Sequence, residues 1–264
     1  MKKITTLSEL AKVCGCSPAT VSYVLNGRED QRISEETKQK ILQMANLFQY
    51  RINPYAKALA KGEVHNIMFF YAYSDFSLAK SDTLNFINEL SFFLKENQFN
   101  VIIAPTDQIQ KFEFVDAVIT YRISKKAFKE LSNKNYVPVI AIDTMLHDDL
   151  FYEIVNSFDE LISDASTVYI STPYDDSEIN EELKAKAHIE FVESFTDLKQ
   201  SILKHSGKRM ITFNIEIQKY LKCFQLDIEY HSLNPKEKYE AILEAIQDSI
   251  ARNEDKNHQI RVKS

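Results

Sequence analysis

Glycine is scarce in this chain: four in 264 residues, three of them (Gly15, Gly27 and Gly62) within the first 62. Tryptophan is absent. The three cysteines, Cys14, Cys16 and Cys223, fit no disulfide framework or zinc spacing, because Cys14 and Cys16 flank a single residue and no matching pair follows. They are expected to be packing or turn residues in a reducing compartment. Long apolar runs are missing as well. The longest, Ile67 to Tyr73, falls far short of the roughly 20 residues that span a bilayer. Thr5, Thr6, Ser8 and Glu9 stand where a secretory signal needs an apolar stretch. A cytoplasmic protein without a membrane partner is therefore expected. Catalytic signatures are equally thin, with no Gly-rich phosphate loop, no Gly-x-Ser-x-Gly elbow and no HExxH. The six histidines (His65, His147, His188, His205, His231 and His258) show no metal-ligand spacing along the chain, and His147-Asp148-Asp149 reads as a solvated turn. No enzyme, metal site or cofactor is expected.

What is present is unevenly placed. The net charge is −6, yet residues 1–62 hold ten Lys/Arg against five Asp/Glu, while residues 63–264 hold 22 against 33. A basic head on an acidic body suits a head that meets phosphate and a body that does not. Apolar residues make up 44% of the chain, enough for a packed core. Beyond Gly62 short apolar runs alternate with helical stretches: strands are expected at 66–73, 100–104, 115–121, 137–142, 167–171, 209–213, 226–230 and 259–262. Helices are expected at 82–97, 125–133, 178–187, 195–205, 215–222 and 235–253. Such alternation implies parallel sheets covered by helices. The domain boundary is placed near Gly62–Glu63, with a DNA-binding head over 1–62 and a body over 63–264.

In the head, Leu7, Leu10, Ala11 and Cys14 mark one face of a short helix. Thr6 is the candidate N-cap, with Glu9 completing a capping box. Gly15 breaks the helix, Ser17 caps a second, and Pro18 takes its first position, where a missing N–H costs nothing. Val21, Val24 and Leu25 point inward, which leaves Ala19, Thr20, Ser22 and Tyr23 more exposed. A third helix over Ser34–Phe48 presents Thr37, Ile41, Ala45 and Phe48. Ser17, Thr20, Ser22 and Asn26 suit phosphate contacts; Pro18, Ala19 and Tyr23 suit base edges and thymine methyls. A plain three-helix bundle with a polar face has the same spacings. A further helix-prone segment over 53–62, opened by Asn53-Pro54 and stopped by Gly62, is too short to be stable alone.

The strings Thr6-Leu7-Ser8-Glu9-Leu10-Ala11, Ser17-Pro18-Ala19-Thr20-Val21-Ser22-Tyr23-Val24-Leu25-Asn26-Gly27 and Tyr50-Arg51-Ile52-Asn53-Pro54-Tyr55-Ala56-Lys57-Ala58-Leu59 closely resemble the lac repressor (LacI/GalR) family of bacterial regulators. The resemblance implies an all-α helix-turn-helix head with a hinge helix, followed by a truncated, two-lobed α/β body like a periplasmic binding protein. It further implies a homodimer on a near-palindromic double-stranded DNA operator, recognition helices in the major groove and paired hinge helices on the minor groove. Leu59 would be the apolar wedge, Ala56 and Ala60 would let the hinge helices approach, and Tyr50 and Asn53 would hold the backbone nearby. Thr6, Leu7 and Thr37 complete the expected DNA-binding set. The effector of such a body would be a sugar, sugar phosphate or nucleobase.

Over the body the resemblance is looser. The stretch between Pro105 and Val115 has room for a loop but hardly for a full crossover helix, and the passage from Tyr230 to Pro235 is compressed. Ser163-Asp164-Ala165 replaces a Gly-His-Arg-like turn expected after the first helix of the second lobe, and Asn214 is followed by Ile215 where relatives carry Asp. Residues 63–264 contain one glycine, Gly207, which leaves few positions for close backbone approach to a ligand. Two functions remain open: a ligand-responsive repressor, or a DNA-binding dimer controlled by a protein partner or by abundance. Tyr23 stands where many relatives carry Arg, which removes bidentate guanine readout from that position. Site selection from random DNA with the wild type and Tyr23→Arg should yield half-sites that differ at the matching base; identical half-sites would refute a reading role for residue 23.

Overall fold

Thr6 opens the first helix reciprocally with Glu9: its Oγ1 accepts from the Glu9 N–H at 3.2 Å, while Glu9 Oε2 accepts from the Thr6 N–H at 3.1 Å. Helix α1 (Leu7–Cys14) ends at Gly15, whose φ of 69° lets its N–H reach back to Ala11 and Lys12 carbonyls. Helices α2 (Pro18–Leu25) and α3 (Glu35–Leu47) follow. The three bury Leu10, Ala11, Cys14, Val21, Ile41 and Ala45 against one another, with Leu7, Val24, Leu25, Phe48 and Tyr50 packed around them. The computed structural model describes residues 6–25, 28, 32–48, 50, 65–104, 109–253 and 256–263. The chain divides into two compact units, Met1–Val64 and His65–Ser264. The expected boundary at Gly62–Glu63 and the hinge segment 53–62 lie outside the described residues.

The body begins with β1 (Asn66–Tyr71), α4 (Ser77–Glu96), β2 (Asn100–Ile103), β3 (Ala117–Tyr121), α5 (Lys125–Lys134), β4 (Val139–Ile142) and β5 (Glu153–Ser157). The second lobe holds β6 (Thr167–Ser171), α6 (Ser177–Lys186), β7 (Ile189–Phe191), α7 (Phe195–Lys204), β8 (Arg209–Thr212), α8 (Ile215–Lys222) and β9 (Glu229–Tyr230). Helix α9 (Lys236–Ala251) and β10 (Gln259–Lys263) return to the first sheet. That sheet has the order β10-β5-β4-β3-β1-β2 and the second β7-β6-β8-β9, with all pairings parallel. Alternate residues serve opposite faces, as the pleat requires. Ile67 and Phe69 pack beneath α4 and α9, while Met68 and Phe70 pack with Phe128 and Leu131 of α5.

The truncation is visible in the connections. No helix occurs among the described residues between β2 and β3. Phe112 and Val115 of that passage pack onto the sheet instead, and buried Asn135 holds it. Its Oδ1 accepts from the Phe112 N–H at 2.8 Å and its Nδ2 donates to the Gln110 carbonyl at 3.1 Å. Residues 158–166 run from β5 to β6 without a helix, so Ser163-Asp164-Ala165 does not follow one as expected. Asp164 there accepts from the N–H groups of Ser166 and Thr167.

Other expectations need correction. Helix α4 starts at Ser77, five residues before the expected Asp82, because Phe76, Leu78 and Ala79 are buried against the second lobe. Strands β5 and β7 were not expected; β5 carries the buried polar residues Glu153 and Asn156, which break an apolar pattern. Cys223 lies exposed at the end of α8, so it is not a packing residue.

A buried charge pair joins α9 to the end of β4. Lys238 is fully buried, and its ammonium meets both carboxylate oxygens of Asp143 at 2.9 and 2.8 Å. Asn156 Nδ2 donates to the same carboxylate at 3.1 Å. Burial holds the Lys238 ammonium below the usual lysine range, with Asp143 opposing. Removing one partner strands a buried charge, so Lys238→Met should destabilise the protein by about 3–5 kcal/mol in urea unfolding. Adding Asp143→Asn should recover much of that loss; a strictly additive double mutant would show that the two groups do not act as a pair.

Candidate nucleic-acid interface and interlobe cleft

The start of α2 is the most accessible part of the expected DNA-reading set. Ser17, Pro18 and Ala19 are exposed, whereas Thr20, Ser22 and Tyr23 are half-buried. Ser17 caps the helix: its Oγ accepts from the Thr20 N–H at 3.0 Å and lies 2.8 Å from the Thr20 hydroxyl. Exposed small and hydroxyl side chains at a helix start suit an anionic backbone. Arg28 places its guanidinium over the Tyr23 ring, 5.4 Å from the centroid. A cation therefore stands beside the position where the sequence offered only a phenol, a pairing that spacing along the chain did not disclose.

The remaining expected residues serve local structure. Thr6 is the N-cap of α1, and Leu7 is half-buried on the head core. Thr37 is half-buried, with its hydroxyl 2.8 Å from Ser34, the cap of α3. Tyr50 packs on the same core, its N–H bonded to the Ala45 carbonyl, and burial pushes its phenol up. Asn26, Asn53, Ala56, Leu59 and Ala60 lie outside the described residues.

In the body, the carboxyl ends of both sheets face one cleft, where strand order reverses between β1 and β3 and between β6 and β8. Its outer part is a cavity of about 240 Å³ lined by Tyr73, Asp75, Arg122, Thr172, Asp175 and Glu193, among others. Of the aromatics at the end of β1, Tyr73 stays 61% exposed there while Phe76 is buried. Deeper in, only about 10 Å³ remains between Asp82, Arg122, Asp143, Tyr174 and Asn214, room for a single water at most. Arg122 fills that depth. Its guanidinium stacks 3.8 Å from the Tyr174 ring centroid and donates to the Thr172 carbonyl at 3.3 Å. Burial opposes its charge, but the phenols of Tyr174 and Tyr121 and the carboxylates of Asp143 and Asp82 outweigh that. Burial pushes Asp82 up to about 6, with Arg122 and the Ile215 N–H opposing. Asn214 caps α8 through the N–H groups of Glu216 and Ile217.

One cluster was not foreseen. His188 and Glu190, with His205 fifteen residues further on, bring their ligand atoms within 4.8 Å of one another. The sequence signal was the alternation of His188 and Glu190 at the β7 strand, which spacing rules for helices and knuckles pass over.

A family model described as "Bacterial regulatory proteins, lacI family" matches residues 6–53. The fructose operon regulatory protein of Vibrio cholerae serotype O1 is 28% identical over 169 residues, covering 57% of this chain and 49% of that protein. The probable HTH-type transcriptional repressor ExuR of Bacillus subtilis is 25% identical over 189 residues, covering 67% of this chain and 55% of that one. The matched stretches thus span about half the length of these relatives. Among solved structures, a lac repressor dimer bound to operator and the anti-inducer ONPF superposes with a TM-score of 0.62 at 13% identity, covering 99% of this chain and 97% of that one. Residues 6–53 thus match the lacI family of bacterial regulatory proteins, and the body has the fold of the lac repressor.

Proposed function

We propose that this protein is a sequence-specific DNA-binding transcriptional repressor that grips a near-palindromic operator as a homodimer. The exposed start of α2, inside the segment that matches the family model, carries the proposal. The relatives named as operon regulator and repressor support it, as does the basic head. In this reading residues 1–62 bind DNA, and Leu59 wedges between base pairs while Ala56 and Ala60 allow two hinge helices to meet. Exposed apolar residues on edge strand β2 (Ile102 and Ile103) and on neighbouring α4 (Phe92) would suit contact with a second copy. Operator affinity should fall steeply with salt. Leu59→Ala should weaken operator binding at least about tenfold in fluorescence anisotropy while non-specific binding is retained. Equal affinity of the wild type for operator and bulk DNA would defeat the proposal.

The cleft supports a small-molecule effector. Asp75, Asp175 and Glu193 line its outer cavity against one arginine that is already stacked and hydrogen-bonded. Hydroxyl donors of a neutral sugar fit such a lining, and a phosphoryl group would meet like charge. Thermal-shift screening should therefore favour neutral sugars over sugar phosphates and nucleobases; no shift with any of them would remove the effector and leave the DNA-binding proposal standing. Asp82 is a carboxylate kept in the cleft at a cost to stability, as functional sites often require. Because its folded value of about 6 exceeds the ordinary 3.8, the folded state binds the extra proton between these values. Stability is then lost as pH rises through this window. Asp82→Asn, which keeps an acceptor for the Ile215 N–H, should stabilise the protein at pH 7.5 by up to about 3 kcal/mol and have little effect near pH 3.5.

A further inference from the structure

We infer that the second lobe carries a binding site for a divalent transition ion of the zinc class, formed by His188, Glu190 and His205. His188 immediately precedes β7 and Glu190 lies within it, so their side chains share one face of this edge strand. His205 is the C-cap of α7 and is only 4% exposed. Glu190 Oε1 lies 3.0 Å from His205 Nε2 and 3.7 Å from His188 Nε2. Donors held about 2.0–2.1 Å from a tetrahedral ion stand roughly 3.3 Å apart, so these separations bracket the required one. His188 is half-exposed and free to turn the few tenths of an ångström that closure needs.

Two imidazoles with one carboxylate form a mixed nitrogen and oxygen set. Calcium and magnesium prefer oxygen, whereas zinc, nickel and cobalt accept imidazole readily. A water completes the fourth position. The C-terminal end of α7 adds the negative end of a helix dipole beside the ion. Coordination through Nε2 fixes the His205 proton on Nδ1, which is buried without a hydrogen-bond partner among the described residues. The Ser201 hydroxyl, one turn back on the same face of α7, is likewise buried and without a hydrogen-bond partner, and it does not bond to His205 Nδ1. Lys204 Nζ occupies the ion's side of Glu190, 2.6 Å from Oε1, but its side chain is 64% exposed and leaves without disturbing the core. The lysine and the ion therefore compete for one carboxylate. A bound ion would tie the edge strand to the end of α7.

The experiment uses the untagged, chelator-treated full chain, titrated with Zn2+ by calorimetry and with Co2+ by visible absorption. One equivalent should bind per chain, Co2+ should show d–d bands without thiolate charge transfer, and the unfolding temperature should rise with saturation. His188→Ala and Glu190→Gln should each weaken binding at least about tenfold while remaining folded. Lys204→Met should tighten it, an outcome that a merely structural role for the trio does not produce. Binding that survives His188→Ala and Glu190→Gln, thiolate bands that point to Cys14 and Cys16, or no binding at all would overturn the site. None of these results bears on operator recognition, so the two proposals fail separately.

Discussion

Lys238 and Asp143 form the charge pair around which the body is arranged. Three elements meet there: the end of β4 through Asp143, β5 through Asn156, and the first turn of α9 through Lys238. An ammonium this deep is tolerable only with every proton engaged, and the Leu233 carbonyl and Asn234 side chain supply the remaining acceptors at 3.3 and 3.4 Å. The pair therefore fixes where the chain re-enters the first lobe after the second is complete. It also sets the floor of the cleft. Arg122 and Asp143, which follow the neighbouring strands β3 and β4, both have positive φ, 57° and 53°. Backbone strain of this kind concentrates where side chains must be aimed rather than merely packed.

With the floor filled by charge, the lobes are joined by apolar contact. Phe76, Leu78 and Ala79 at the start of α4 are buried with Ile170, Val192, Leu198 and Ile217 of the second lobe. Polar ties run alongside: Asn85 donates to Glu216 at 2.8 Å, and the Ile215 N–H donates to Asp82 at 3.3 Å. Among the described residues the body has no covering helix between β2 and β3 or between β5 and β6, and the described parts of these passages are pinned by single buried side chains such as Asn135. Such loops demand specific polar geometry, whereas a helix asks only for an apolar stripe.

This difference explains what the sequence disclosed. The capping box of Thr6 and Glu9, the turn at Gly15 and the Ser17-Pro18 start are local devices, and each was legible because its partner lies within three or four residues. Helices α6, α7 and α8 and strands β1, β6 and β8 were legible from periodicity. Strand β5 was not, because Glu153 and Asn156 break its apolar pattern and are buried by partners outside the strand, beyond the reach of local capping rules: the N–H groups of Leu146 and His147 for one, Asp143 for the other. The early start of α4 was hidden for the same reason, since Phe76 and Leu78 are apolar toward a lobe formed a hundred residues later. Of the candidate sites, the α2 start was readable, while the Arg28–Tyr23 contact and the His188, Glu190 and His205 cluster exist only after folding.

The apolar junction also constrains how an effector can act. Separating the lobes would return Phe76, Leu78, Ile170 and Ile217 to water, at about 1.5–3 kcal/mol for each large side chain. A ligand shifts a conformational equilibrium only by its difference in affinity for the two states, and about 5.5 kcal/mol of difference is needed to invert a 99:1 population. Wide opening would therefore require a ligand whose preference for the open state offsets the sum of these burial terms. The cavity lies above the junction, between the Tyr73–Asp75 loop of one lobe and Asp175 and Glu193 of the other. A ligand there can repay a displacement of that loop alone, which costs little because Tyr73 is already exposed. In the proposed reading, an effector would therefore act through loop position above a fixed core, a smaller movement than a hinged closure of the two lobes.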